Sequence, residues 1–289
     1  MARLLIGTCS WKYDSWKGLV YSPGVINHLA EYSRRYAAVE VDQWFWSLHT
    51  LDHAALPQPG VVQEYSRSVP ADFIFTVKAP NSLTLTHAYE KDKSRPLRVN
   101  PFFLSPNLYS RFLQALAPLH AHLGVILLQF EYLNKQKMTS QNDFHNRLAS
   151  FLSSCDRRFP LAIEIRNPHY LNQSFFDFLQ AHDVAMVFLQ GYYMPSAIDL
   201  YEKWGKWLQK RVVIRLHGPD RQDMEKKSGL KWDRILQPRD DELQAFCRII
   251  TELLQRDIDV FLNVNNHYEG SAPLTIERIN ERLSLSGVK

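Results

Sequence analysis

The feature that most constrains the fold is an alternation along the chain of short β-like runs with helical patterns. Segments between most of the runs carry apolar residues at the 3.6-residue spacing of an amphipathic helix, as in Phe144, Leu148 and Phe151. Strands that alternate with helices indicate right-handed βαβ units and a parallel sheet. Eight runs have this character: Leu4–Thr8, Ala38–Asp42, Phe73–Lys78, Gly124–Gln129, Leu161–Arg166, Val184–Leu189, Val212–His217 and Val260–Asn265.

Eight such units predict an α/β fold, namely a single-domain (β/α)8 TIM barrel formed by residues 1–289. The length is typical of such a barrel, and no repeat, linker or low-complexity tract divides the chain. An open, doubly wound sheet is the alternative, but no GxGxxG motif follows the first run to favour it. With 45% hydrophobic and 22% charged residues, the chain does not belong to the class of disordered proteins.

Polar residues occur late in the predicted strands, at positions that alternation turns inward. In the run Leu161–Arg166 the odd-numbered residues are aliphatic and are expected to pack on the helices, which points Glu164 and Arg166 into the barrel. The seventh run turns Arg215 and His217 inward in the same way. The other polar residues predicted on the inner face are Glu40, Asp42, Thr76, Lys78, Gln129, Asn263 and Asn265. A polar layer above apolar layers predicts a site at the C-terminal mouth of the barrel.

Both signs of charge occur in this predicted layer in equal number. The acids are Glu40, Asp42 and Glu164, and the cations are Lys78, Arg166 and Arg215. Because burying a lone charge costs several kcal/mol or more, these groups must pair with one another or with a ligand. One interpretation is therefore an ion-pair layer that only closes the barrel, and the other is a ligand site.

The same strand ends carry short motifs that together resemble one family. In chain order they are IGTCSW and SWKG (6–11 and 15–18), VEVDQWFW (39–46), FIFTVKAP with TH (73–80 and 86–87), LLQF (127–130), IEIRNPHY (163–170), RLHG (215–218) and FLNVNNHYEGSAP (261–273). By these motifs nearly the whole chain resembles the YecE-like family (domain of unknown function 72, DUF72). The resemblance implies a (β/α)8 barrel and brings no established activity. The chain departs from the family pattern at Asp42, where asparagine is usual, and at residues 130–132, where prolines often follow the fourth-strand motif.

The residues at the predicted mouth favour an acid–base enzyme, a hydrolase or lyase, acting on an anionic substrate that is phosphorylated or derived from nucleic acid. Glu164 is the predicted general base or acid, His217 carries the second proton, and Glu40 completes the catalytic set. The predicted substrate-binding residues are Lys78, Arg166, Arg215, Gln129, Asn263, Asn265, His267, Asp42 and Trp11. Since arginine suits bidentate contact with phosphate or carboxylate, we expect Arg215→Ala to weaken anion binding without unfolding the barrel.

Three other functions remain open at this point. A metal-dependent phosphodiesterase or isomerase would take its ligands from the set Glu40, Asp42, Glu164, His217 and His267. The sequence contains no HExxH spacing, and three cations share the predicted layer with these acids, so we predict neither a bound metal nor a cofactor. A glycosidase would use Glu40 and Glu164, although Arg166 should hold Glu164 ionised. A non-catalytic protein that binds nucleotides or nucleic acid would use the aromatic residues around the mouth.

The remaining sequence features concern location and partners. A net charge of +4 permits a small anionic partner without requiring nucleic acid. The first apolar run reaches Gly7 too soon for a signal peptide, and no apolar stretch is long enough for a bilayer. We therefore expect a cytoplasmic protein with no membrane contact and no obligate protein partner. Cys9 is expected to pack under the loop of Trp11, because no histidine adjacent in sequence argues for an activated thiol.

Overall fold

The computed structural model describes residues 2–90 and 94–285. Eight parallel strands close into a barrel in chain order, which confirms the predicted (β/α)8 fold. The strands are β1 (Leu4–Thr8), β2 (Ala38–Val41), β3 (Ile74–Lys78), β4 (Leu123–Gln129), β5 (Leu161–Glu164), β6 (Ala185–Gly191), β7 (Arg211–Gly218) and β8 (Asp259–Val264). Each end lies within about two residues of its predicted position, the usual uncertainty of an element boundary. Asp42 and Arg166, predicted as the last residues of their strands, lie just beyond β2 and β5.

Helices surround the barrel and join its strands. They are α1 (His28–Tyr32), α2 (Pro59–Arg67), α3 (Pro106–Ala115), α4 (Gln141–Ser154), α5 (Gln173–Ala181), α6 (Ala197–Trp204), α7 (Arg221–Ser228), α8 (Asp240–Gln255) and α9 (Ala272–Leu285). Side-chain caps fix several starts, as where Ser140 Oγ accepts the backbone N–H of Asp143 at 3.1 Å ahead of α4. Within the two described ranges, none of these helices is both long and apolar enough to cross a bilayer.

The hydrophobic core has two parts, as the strand alternation predicts. Outward residues such as Ile163 and Ile214 pack with the helices in one large cluster. A smaller cluster fills the lower part of the barrel and consists of Leu5, Ala38, Val125, Leu127, Ala162, Ala185, Val187, Val213 and Phe261. Because apolar side chains close the lumen from below, the polar inward residues are confined to its C-terminal mouth.

Candidate functional site

Arg215 lies at the centre of the mouth and joins residues from three other strands. Its Nε and Nη2 atoms donate to Oε2 and Oε1 of Glu40 at 2.8 and 2.6 Å. Its Nη1 donates to Oε2 of Glu164 at 2.5 Å and to Oε1 of Gln129 at 3.3 Å. The side chain of Arg215 is only 2% exposed, so this cation is enclosed by its carboxylate partners.

Arg166 bonds the other oxygen of the same glutamate. Its Nε and Nη2 lie 2.7 and 2.6 Å from Oε1 of Glu164. Burial alone would raise the pKa of Glu164, but the charges of Arg215 and Arg166 outweigh it and lower the pKa to about 2. A carboxylate with so low a pKa is ionised at neutral pH and is a weak base. The general acid or base role suggested by the sequence is therefore not favoured by this geometry.

Glu40 is the second buried carboxylate of the pair. Burial raises its pKa, while the bidentate contact with Arg215 favours the ionised form. With Glu40 and Glu164 both bonded to it, Arg215 holds the charges of the mouth in balance and presents little surface to a ligand. These contacts argue against the expectation that Arg215 clamps an anion and that its loss spares the fold; both parts stay predictions.

Lys78 ends β3 and is a cation at this mouth without a carboxylate in contact. Its Nζ lies 4.0 Å from the centre of the Phe45 ring. Within the described part of the chain its ammonium group takes part in no hydrogen bond or ion pair, because the arginines occupy Glu40 and Glu164. Burial, and then the charge of Arg215, lower the pKa of Lys78.

His217 lies between a thiol and a phenol. Its Nε2 is 3.5 Å from Sγ of Cys9, and its Nδ1 is hydrogen-bonded to the Tyr192 hydroxyl at 3.1 Å. Burial and the charges of Arg215 and Arg166 lower the pKa of His217 well below its usual value, so the imidazole is neutral at pH 7. Burial likewise raises the pKa of the Cys9 thiol. Sequence reasoning missed the pairing of Cys9 with His217, because the two residues are 208 positions apart.

Glycine residues allow the loops after β6 and β7 to meet above His217. Gly191 has φ +144°, and a Cβ atom there would lie 2.2 Å from the carbonyl oxygen of Gly218. The same oxygen accepts the backbone N–H of Tyr192 at 3.1 Å. Tyr192 itself adopts φ +56°, which a bulky residue rarely does. This contact between backbones places the Tyr192 hydroxyl on His217.

Three further predicted site residues lie near these charges. Asp42 is exposed and lies close enough to Lys78 to influence its pKa. Gln129 is half-buried beside Arg215. Asn263 is 1% exposed, and its Nδ2 has no hydrogen-bond partner within residues 2–90 and 94–285. That amide is therefore a polar group to which a ligand could bind.

The other three predicted residues have structural contacts in the loops. Oδ1 of Asn265 accepts the backbone N–H of His267 at 3.0 Å, which fixes the turn after β8. Nε2 of His267 lies 3.4 Å from Oε1 of Glu225 on α7. Trp11 is 3% exposed and packs edge-on against Tyr65, with ring centres 5.0 Å apart. Its ring therefore belongs to the loop core and does not line the open mouth.

The donor set at the mouth does not resemble a metal centre. In the part of the chain that the structure describes, no three His, Cys, Asp or Glu side chains are grouped as metal ligands. Glu40 and Glu164, which the metal-dependent alternative requires, are bonded to Arg215 instead.

The buried neutral His217 predicts a pH dependence of stability. Below about pH 6.5 the unfolded chain takes up a proton at this histidine, whereas the folded protein does not. Because the unfolded state then binds more protons, stability falls as pH decreases, with a limiting slope of about 1.4 kcal/mol per pH unit. We expect wild type to lose about 1 kcal/mol more than His217→Gln between pH 6.5 and 5.5, measured by urea unfolding.

The comparison with His217→Gln cancels the contribution of the carboxylates, because both proteins contain them, including Glu40 with its raised pKa. Glu164, with its lowered pKa, adds a loss of stability only below about pH 4.5. Parallel pH profiles of the two proteins would show that His217 is charged in the folded state.

Comparisons with known proteins place this geometry in a family. The sequence matches the family described as "Protein of unknown function DUF72" over residues 5–289. A DUF72 family protein of Thermotoga maritima is 20% identical and superimposes over 98% of this chain and 99% of its own, with a TM-score of 0.66. One from Enterococcus faecalis is 20% identical over 98% of this chain and 96% of its own, with a TM-score of 0.68. At this identity the likeness shows the shared fold. The comparison with curated proteins gave no match.

Proposed function

We propose that this chain, which belongs to the DUF72 family, is an acid–base enzyme that acts on a small anionic substrate at the C-terminal mouth of its barrel. The observation that carries the proposal is a pair of incompletely satisfied cations beside a neutral histidine. Nζ of Lys78 and Nη1 of Arg166 have no hydrogen-bond partner among the described residues, and His217 is held uncharged close to both. Cations with free donors, buried beside a group that can move a proton, are typical of enzyme sites.

The balance of charges explains why the ligand would be an anion. Glu40 and Glu164 together compensate Arg215 and Arg166, which leaves the buried charge of Lys78 without a contact of opposite sign. An anion placed on Arg166 and Lys78 would supply that contact, with the planar guanidinium suited to a carboxylate or phosphate. In this proposal Glu40 and Glu164 are positioning residues, because their oxygens bond the arginines rather than a substrate.

Proton transfer falls to His217 together with Tyr192. The ring of Tyr192 is half-buried and lies 5.1 Å from the guanidinium carbon of Arg166, so its hydroxyl is near the proposed anion. Burial raises the pKa of Tyr192, which keeps the phenol protonated and able to donate. The hydrogen bond to His217 Nδ1 would let the imidazole exchange a proton with the phenol as the substrate reacts.

Anion binding at Arg166 is tested by thermal melting with phosphate, sulfate and small carboxylates. A bound anion stabilises the folded protein by mass action, about 2.7 kcal/mol at a hundredfold excess over its dissociation constant. We expect Arg166→Gln to reduce this stabilisation severalfold, because the variant loses the charge but keeps a similar shape. The matched control is Arg147→Gln, since Arg147 is an exposed arginine on α4 paired with Asp143. Equal shifts in all three proteins would mean that the anion binds elsewhere.

A second candidate function is nucleotide or nucleic-acid binding without turnover. Three exposed aromatic residues favour it, and each follows a strand at the mouth: Trp46, Tyr132 and Tyr193. Exposed aromatic rings can stack on bases. A binder of this kind would lose affinity for a nucleotide in Trp46→Ala and at high salt, and it would consume no substrate.

A further inference from the structure

We propose that Lys78 is a nucleophilic amine and that the substrate is a carbonyl compound with an anionic group, either an oxo acid or a phosphorylated aldehyde or ketone. The inference that the substrate carries an anionic group rests on the proposed function above. The role of the amine is inferred from the contacts of Lys78 itself. In this reaction the ε-amino group forms an imine with the substrate carbonyl.

Lys78 is buried but lacks the carboxylate partner that a structural buried lysine has. It is 7% exposed at the end of β3, and Phe45 covers its ammonium group at 4.0 Å. The four oxygens of Glu40 and Glu164 each accept at least one arginine hydrogen bond instead. A buried ammonium without a paired carboxylate is costly, so Lys78 loses its proton more readily than a paired lysine does. The ammonium form attracts the anionic group, and the deprotonated fraction attacks the carbonyl while Arg166 holds that group.

The charges at the mouth act on Lys78 in both directions. Burial, followed by the nearby charge of Arg215, lowers its pKa, and together they outweigh the raising effect of Glu40, Glu164 and Asp42. The neutral amine carries the lone pair that attacks a carbonyl carbon, and lysines used in this way are desolvated or placed beside another cation. Lys78 meets both conditions, because it is buried and the guanidinium of Arg215 lies in the same layer.

The proposed step balances without a further reactant. The nitrogen lone pair of Lys78 attacks the carbonyl carbon, and one N–H proton moves to the carbonyl oxygen to give a carbinolamine. The C–O bond then breaks, the oxygen takes the second N–H proton, and water leaves as the C=N bond forms. Tyr192 and His217 are placed to shuttle these protons, and Arg166 to hold the anionic group.

The experiment traps the imine on the intact protein at pH 7. The protein is incubated with glyoxylate, pyruvate or dihydroxyacetone phosphate in the presence of cyanoborohydride, and the reduced adduct is located by peptide mass spectrometry. Lys226, an exposed lysine on α7, serves as the internal comparison. We expect Lys78 to be modified severalfold faster than Lys226, because its lowered pKa leaves a larger fraction of the amine neutral at pH 7.

The outcomes distinguish a failure of the nucleophilic role of Lys78 from a failure of the proposed function. Modification of Lys78 no faster than that of Lys226 overturns the nucleophilic role, and this result does not depend on any variant that must fold. Anion-dependent melting shifts would then still support the proposed function. Modification of Lys78 that is equally fast with propanal and with glyoxylate, in a protein without anion-dependent shifts, supports the amine and contradicts the anionic substrate. Lys78→Arg should abolish the adduct at position 78 and leave that at Lys226 unchanged.

Discussion

Replacing Arg215 with methionine is expected to lower the free energy of unfolding by about 3–5 kcal/mol. The substitution keeps an apolar chain of similar length but removes every hydrogen bond that Arg215 makes to Glu40, Glu164 and Gln129. Glu40 would then be a fully buried carboxylate without its bidentate partner. An unpaired buried charge of this kind is what makes breaking a buried ion pair destabilising. Urea unfolding at pH 7 measures the difference.

Two controls separate this effect from the loss of any arginine. Arg147→Met removes an exposed arginine that pairs with Asp143 on the same helix, and should change stability by no more than about 0.5 kcal/mol. Adding Glu40→Gln to Arg215→Met neutralises the stranded carboxylate and should restore part of the lost stability. A loss below about 1 kcal/mol in Arg215→Met would show that the guanidinium does not compensate the buried acids.

The strand alternation predicts much of the fold because its physical basis is local. Successive side chains of a strand face opposite sides, so Glu164 and Arg215 can be assigned to the lumen before any partner strand is known. The apolar residues beneath them, such as Ala162 and Val213, are assigned by the same rule and form the inner cluster of the structure. The location of the polar layer therefore follows from the sequence alone.

The pairing of charges within that layer does not follow, because it depends on how the barrel closes. Six charged residues allow many pairings, and the observed one joins Arg215 to Glu40 and Glu164 and leaves Lys78 out. That result favours charge compensation over ligand binding as the role of Arg215. Cys9 and His217 meet only because β1 and β7 both flank β8, a contact between residues 208 positions apart.

Loop geometry is the other part that the sequence leaves open. The position of Trp11 after the first strand predicts a place at the mouth, yet its ring packs on Tyr65 within the loop core. A residue near a strand end can turn toward the mouth or away from it, and strand periodicity does not extend into the loop. The hydroxyl of Tyr192 reaches His217 through a backbone turn at Gly191 and Tyr192, whose positive φ angles strand periodicity does not specify.

The glycine at the end of β7 should be as sensitive to substitution as the buried arginine. Gly218 has φ +77°, and a Cβ atom there would lie 2.4 Å from the carbonyl oxygen of His267. The left-handed conformation costs an alanine roughly 1–2 kcal/mol, and the clash adds roughly 1–3 kcal/mol because the obstructing atom belongs to the backbone. We expect Gly218→Ala to lower the free energy of unfolding by about 2–5 kcal/mol, measured by urea unfolding.

The contribution of the clash can be isolated with a glycine of the same conformation in open space. Gly24 has φ +83° and no atom within 4 Å of the point that a Cβ would occupy, so Gly24→Ala should lose only about 1–2 kcal/mol. The difference between the two variants measures how closely the loops after β7 and β8 approach at the mouth.

Because the Gly218 carbonyl also holds Tyr192 through its backbone N–H, Gly218→Ala should displace the Tyr192 hydroxyl from His217 and weaken anion binding as well. Equal losses in the two variants would contradict the close approach that assembles the site.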